Sequence, residues 1–164
     1  MDTHLSRVSP DSDGLEASII DALKSVAWHP DYSTWESRAI ASIELTKLPQ
    51  NFDEEGGKPA TAIARSAAIK TMVSFANFAH RAQEASIPCA DICLGPDGGI
   101  DLDWQSDDRT LLVHINSDGT MVGFYGDRPK GTEVAKGKVA LADINNQTFE
   151  SWLVVLQGTV RAQD

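Results

Sequence analysis

Asp101 and Asp103 stand two apart in the stretch Ile100-Asp-Leu-Asp-Trp104, with Asp91 upstream and His114 downstream. If that stretch is a strand, both carboxylates share one face about 7 Å apart, at a rise near 3.4 Å per residue. Asp91 from one neighbouring strand and His114 from the other would join them. Carboxylates with an imidazole make a donor set for a divalent cation, or the working groups of a small hydrolase. The competing reading is solvation, because alternation puts polar residues on the wet side of any half-buried strand. The run does not continue as a calcium loop, since Ser106 occupies the turn-glycine position and Leu112 that of the final acid.

The remaining chemistry-bearing residues assemble into no known constellation. Cys89 and Cys93 are four apart, about 13 Å on an extended strand, so they neither bridge nor chelate together. A nucleophile pair of Cys93 with His114 needs the sheet to unite them, and inert, space-filling thiols are the expectation. His4, His29, His80 and His114 lack the HExxH spacing of a zinc site. Gly131 to Lys138 has one residue too many between its glycines for a phosphate loop, and Val139 stands where Ser or Thr would hold magnesium. There is no GxSxG elbow and no GxGxxG fingerprint. No catalytic residue, no metal and no cofactor is therefore assigned.

Charge and composition narrow the class. The net charge is −10, and the segment 91–131 holds eight acids against three bases. Such a balance disfavours nucleic-acid binding, which rests on Lys and Arg neutralising phosphates, and suits a basic partner or plain solubility. The start lacks the basic and apolar regions of a signal peptide, no stretch approaches a membrane span, and two cysteines are too few for a disulfide framework. A cytoplasmic protein with no membrane contact is expected.

The elements that position these residues change period once. Asp13-Gly-Leu-Glu16 reads as a cap, followed by a helical stripe of Leu15, Ile19, Ala22, Leu23 and Val26 that Pro30 closes. Ser33-Thr-Trp-Glu36 reads as a capping box, opening a second helix with Trp35, Ala39, Ile43 and Ile40 inward. Helix three is expected from about Ala60 to about Glu84. Its wet stripe is Lys70, Ser74, Asn77 and Arg81, and its buried face is Ile69, Met72, Val73, Phe75, Ala76, Phe78 and Ala79.

Between these helices, Leu48 to Pro59 reads as punctuation. Pro49 stops helix two, Gly56 and Gly57 permit unusual backbone, and Asp53, Glu54 and Glu55 precede helix three where its dipole favours negative charge.

After Pro88 the alternation predicts strands around Ala90–Leu94, Ile100–Trp104, Leu111–Ile115 and Met121–Tyr125, joined by hairpins. Gly126 to Gly137 reads as loop, Lys138 to Leu141 as a short edge strand, and Asn146 to Gln157 as a last helix burying Phe149, Trp152, Leu153 and Leu156. The fold class is α+β: N-terminal helices, the third one long, packed on one face of an antiparallel meander of four to five strands, with a C-terminal helix. One domain over 14–158 is expected, with flexible ends at 1–13 and 159–164.

Leu48-Pro-Gln-Asn-Phe-Asp53, then Gly56-Gly-Lys-Pro59, a helix, and Gly95-Pro-Asp-Gly-Gly-Ile-Asp-Leu-Asp-Trp104 resembles a family of small uncharacterised bacterial proteins. That family carries an LPxNWDxxGxxP element and a later PDGGIxLEW hairpin. Phe52 stands for its Trp and Asp103 for its Glu. The resemblance spans about Leu45 to Gly126 and implies a helix followed by a hairpin sheet, with Asn51, Asp53, Gly56 and Gly57 organising the loop against the hairpin.

The leading expectation is a non-enzymatic, acidic protein-binding module, an inhibitor or accessory member of a toxin, immunity or phage-conflict system. Asp91, Asp101, Asp103, Asp107 and Asp108 would meet the basic surface of another protein. The alternatives are a small metal-dependent or hydrolytic enzyme using Asp101, Asp103 and His114, and a subunit that assembles with copies of itself through an uncovered strand edge.

Overall fold

A computed structural model of the chain describes residues 14, 16–45, 59–106, 108–128 and 132–157. Helix α1 covers 16–23 and tightens into a 3₁₀ turn, Lys24–Val26. Its buried residues Ile19, Leu23 and Val26 keep the stripe spacing of the sequence. The turn that follows is held by the buried His29. Its Nδ1 accepts from the Asp31 N–H at 3.0 Å, so Nε2 carries the proton and donates to the Ile87 carbonyl at 2.6 Å. Trp28 stacks on His80 at 3.8 Å between centroids and donates to Asn77, which clamps the same turn to the third helix.

Helix α2 spans Tyr32–Leu45. It begins before the expected capping box. The Asp31 carbonyl accepts from the N–H groups of Thr34 and Trp35, and Ser33 falls inside the first turn. Ile40 is also corrected: it is 53% exposed, because the buried stripe runs through Trp35, Ala39, Ser42 and Ile43 and leaves Ile40 on its outer flank.

Helix α3, Ala62–Gln83, starts two residues later than about Ala60, since Thr61 is its cap and not its first turn. The Thr61 hydroxyl accepts from the Ala64 N–H at 3.0 Å and donates to the Ser117 carbonyl at 2.5 Å, while the Thr61 N–H donates to the Gly98 carbonyl at 3.1 Å. One residue thus caps the helix and ties it to two hairpin turns. The helix ends where Glu84 takes a left-handed conformation, φ 53°.

Five antiparallel strands follow as a meander in the order β1-β2-β3-β4-β5. They are β1 Asp91–Leu94, β2 Ile100–Gln105, β3 Thr110–Ile115, β4 Met121–Arg128 and β5 Thr132–Ala140. The expected loop from Gly126 to Gly137 is overturned. β4 runs on to Arg128 and β5 pairs with it from Thr132, with one register shift at Gly126/Asp127 absorbing the glycine-rich stretch. Cys89 precedes β1 and does not share a strand with Cys93.

One face of the sheet carries Ile100, Leu102, Trp104, Leu111, Val113, Ile115 and Val122, all buried. Helices α3 and α4, the latter Asn146–Gln157, lie on that side; the Asn145 side chain caps α4 by accepting from the Thr148 N–H at 3.0 Å. Phe75 of α3 meets Trp104 of β2 at 5.7 Å and Trp152 of α4 at 5.3 Å, both edge-on. Such pairs add about 0.5–1.5 kcal/mol each beyond the area they bury. Helix and sheet therefore share one aromatic junction. Among the described residues no helix is long and apolar enough to cross a membrane.

Candidate functional site

The opposite face of the sheet holds the alternate side chains, and the pairing register arranges them in two rows across the strands. One row reads Asp91, Asp103, Leu112, Tyr125, Lys136; the other reads Cys93, Asp101, His114, Gly123, Lys138. Carboxylates occupy β1 and β2, lysines occupy β5, and apolar or aromatic groups lie between. Tyr125 is 38% exposed, among the few large hydrophobic side chains that are.

Asp91 sits directly opposite Asp103 in the ladder. Like charges so placed repel. The Asp103 carboxyl is held above its ordinary value, first by burial and then by Asp91, against a lowering hydrogen bond from Gln105. That bond reaches Oδ2 at 3.3 Å, while Oδ1 is buried without a hydrogen-bond partner among the described residues. Arg38 of α2 offsets part of the charge: its guanidinium lies 3.3 Å from Asp91 and donates to the carbonyls of Cys89 and Ala90 at 2.7 and 3.0 Å. A cleft of about 310 Å³ opens beside this group, lined by Arg38, Asp91, Asp103, Trp104 and Arg109 among others.

Asp101 and His114, opposite each other on β2 and β3, are joined by an Nδ1 to Oδ1 contact of 2.6 Å. The β1–β2 turn is shaped around them. A Cβ added at Gly95 would stand 2.9 Å from Asp101 Oδ1 and 3.0 Å from the His114 ring, and one at Gly99 would stand 2.4 Å from the Ile115 carbonyl oxygen and 2.8 Å from that ring. These two glycines are required by space. Gly98 is required by conformation, at φ 86°.

The structure thus brings Asp91, Asp101, Asp103 and His114 onto one face. Asp108 lies in the β2–β3 turn, exposed, with Arg109 3.7 Å away. Asp107, and the loop residues Asn51, Asp53, Gly56 and Gly57, lie outside the described residues. Cys93 shares the row of His114, but Asp101 stands between them, so thiol and imidazole are two strand spacings apart, about 10 Å. Its thiol is pushed up by burial and by Asp103, Asp91 and Asp101; that of Cys89 is pushed up to about 11, chiefly by burial, with Met72 as its neighbour. At Cys89 burial outweighs the nearby Arg38 guanidinium, and Cys93 faces carboxylates, so neither is activated as a nucleophilic cysteine. Among the described residues no group of three or more His, Cys, Asp or Glu could hold a metal ion.

Two residues escaped the sequence reading. Arg38 was hidden one turn along from Trp35 on a helix read for its apolar stripe. Arg65, on α3, is 1% exposed, with all three guanidinium nitrogens lacking hydrogen-bond partners among the described residues, and its pKa is lowered to about 10 by burial. A charged residue on a helix is ordinarily solvated, so nothing in the sequence marks Arg65 as buried. No family model, no curated protein and no solved structure matches the chain.

Proposed function

We propose that the outer sheet face is a docking surface for another protein with a basic patch, and that the chain acts by binding rather than by catalysis. The observation that carries this is the opposition of Asp91 and Asp103 on an open face. Their mutual repulsion works against the fold, and an incoming Lys or Arg would relieve it. Complementary charge of this kind raises association rate and selects partners more than it adds affinity. An inhibitor or accessory protein of a toxin, immunity or phage-conflict system is the proposed setting, supported by the acidic charge of this segment alone. Membership in the family that the Leu48–Asp53 and Gly95–Trp104 elements resemble is proposed on the same footing, supported by the tight packing of Gly95 and Gly99 against His114.

The test is fluorescence anisotropy with a labelled lysine- and arginine-rich peptide at low salt. Asp91→Lys with Asp103→Lys should weaken binding about tenfold or more; unchanged affinity would remove the proposal. A second reading, a small hydrolytic or metal-dependent enzyme, is favoured by the 2.6 Å contact between Asp101 and His114. A stoichiometric divalent ion in the purified protein would move the weight to it.

A further inference from the structure

The first row of the outer face ends in opposite charges, Asp91 on β1 and Lys136 on β5. Asp91 lies at one edge and Lys136 at the other edge of the same row, with Leu112 in the middle; Cys93 and Lys138 bracket His114 in the next. Consider a two-fold axis parallel to the strands, passing over β3 in the plane between two copies laid face to face. It preserves position along the strands and exchanges β1 with β5 and β2 with β4. Asp91 of each copy then meets Lys136 of the other, Asp103 meets Tyr125, Asp101 meets the bare backbone at Gly123, and Leu112 meets Leu112. Every carboxylate of the rows lands on a lysine, a phenol or a glycine. None lands on another carboxylate.

We propose that the chain forms a two-fold homodimer through this face, the lysines of β5 supplying to a second copy the same basic chemistry that the proposed partner would bring. The inference rests on the reading of the face as a docking surface, and makes self-association the state that such a partner must displace. The occupant is fixed by charge complementarity: Asp91 on β1 and Lys136 on β5 each stand two strands from β3 in the same row, as a two-fold requires. Aligned sheets pack about 10 Å apart and about 30° off parallel. At an edge strand about 10 Å from the axis, that rotation displaces a side chain by about 5 Å, within the reach of a lysine.

The footprint is small. Five strands at about 4.8 Å and six residues at about 3.4 Å span roughly 20 by 20 Å, well short of the ~800 Å² per partner of a stable complex. The dimer should therefore be weak and exchange rapidly. Because its Asp91–Lys136 pairs lie on the edge strands, at the rim, it should also be sensitive to salt.

The test is sedimentation velocity from about 10 µM to about 500 µM at low salt, a range suited to a transient interface of this size. A concentration-dependent dimer is expected, shifted to monomer by raising salt to about 0.5 M. Asp91→Lys alone and Lys136→Glu alone should each weaken it about tenfold, and the two together in one chain should restore it, because the two-fold places the exchanged charges opposite each other again. A chain that stays monomeric throughout, or a dimer that the double exchange fails to restore, overturns the inference. Binding of the lysine- and arginine-rich peptide, measured on the same variants, separates the two ideas. Asp91→Lys weakens peptide binding whether or not Lys136 is changed, so peptide binding without self-association overturns the dimer and leaves the docking surface standing.

Discussion

Replacing Asp103 by Asn removes one of two carboxylates that face each other across β1 and β2. Opposed like charges in a ladder cost about 0.2–1 kcal/mol, so the variant should be more stable at neutral pH by about 0.5 kcal/mol, roughly 1–2 °C in Tm for a chain of this length. The pH dependence fixes the cause. Burial and Asp91 hold the Asp103 carboxyl above its ordinary value, so the folded protein binds this proton more tightly than the unfolded chain does. Stability from this group is then present below the ordinary aspartate pKa and is lost as pH rises through the raised one. The gain from Asn should accordingly be present at about pH 7 and absent by about pH 3. Urea unfolding followed by Trp fluorescence at both pH values reads it, with an unchanged m-value confirming the same transition. The Asp91→Asn, Asp103→Asn double variant should gain less than the sum of the single variants. A loss of more than about 1 kcal/mol on Asp103→Asn at neutral pH, or a gain that persists in acid, would refute the repulsion.

Gly99→Ala, whose Cβ would press within 2.4 Å of the Ile115 carbonyl oxygen, should lower unfolding free energy in urea by about 2–3 kcal/mol. Gly123→Ala, which meets only a carbonyl oxygen at 4.0 Å, should change it by less than about 1 kcal/mol. Iodoacetamide at mildly alkaline pH should label the exposed Cys93 slowly and leave the buried Cys89 untouched until the protein unfolds, as mass spectrometry of the intact chain would read. Arg65→Met should be neutral or stabilising on thermal unfolding, since it removes a buried charge that lacks hydrogen bonds among the described residues; a loss above about 3 kcal/mol would mean that the guanidinium is paired.

The fold was legible where one period dominated. Alternation from Ile100 to Ile115 set both faces of β2 and β3, and the stripe from Ile69 to Ala79 found the buried side of α3. Legibility failed where a residue had two competing uses. Ser33 looks like a cap, yet Asp31 already stands at the cap position and the helix begins earlier. Gly126 and Gly137 look like loop residues, yet Val155 and Phe124 pack where their side chains would be, which is why glycine occurs inside paired strands.

For the site, the face of Asp91, Asp101, Asp103 and His114 followed from alternation alone, but its register did not. Strand pairing depends on turn geometry, and the 3₁₀ turn Pro96–Gly98 decides that Asp103 faces Asp91 and that Asp101 faces Cys93. The glycines of that turn carried the available signal. Gly95 and Gly99 marked a place where something bulky comes close, and His114 is what comes. Arg38 and Arg65 gave no such mark, because a charged residue on an amphipathic helix is ordinarily solvated.

Amide chemical-shift mapping during titration with the lysine- and arginine-rich peptide tests the docking surface most directly. Shifts should cluster on Asp91, Cys93, Asp101, Asp103, Leu112 and His114 and fade with added salt. Shifts confined to the helical side, or none at saturating peptide, would contradict it.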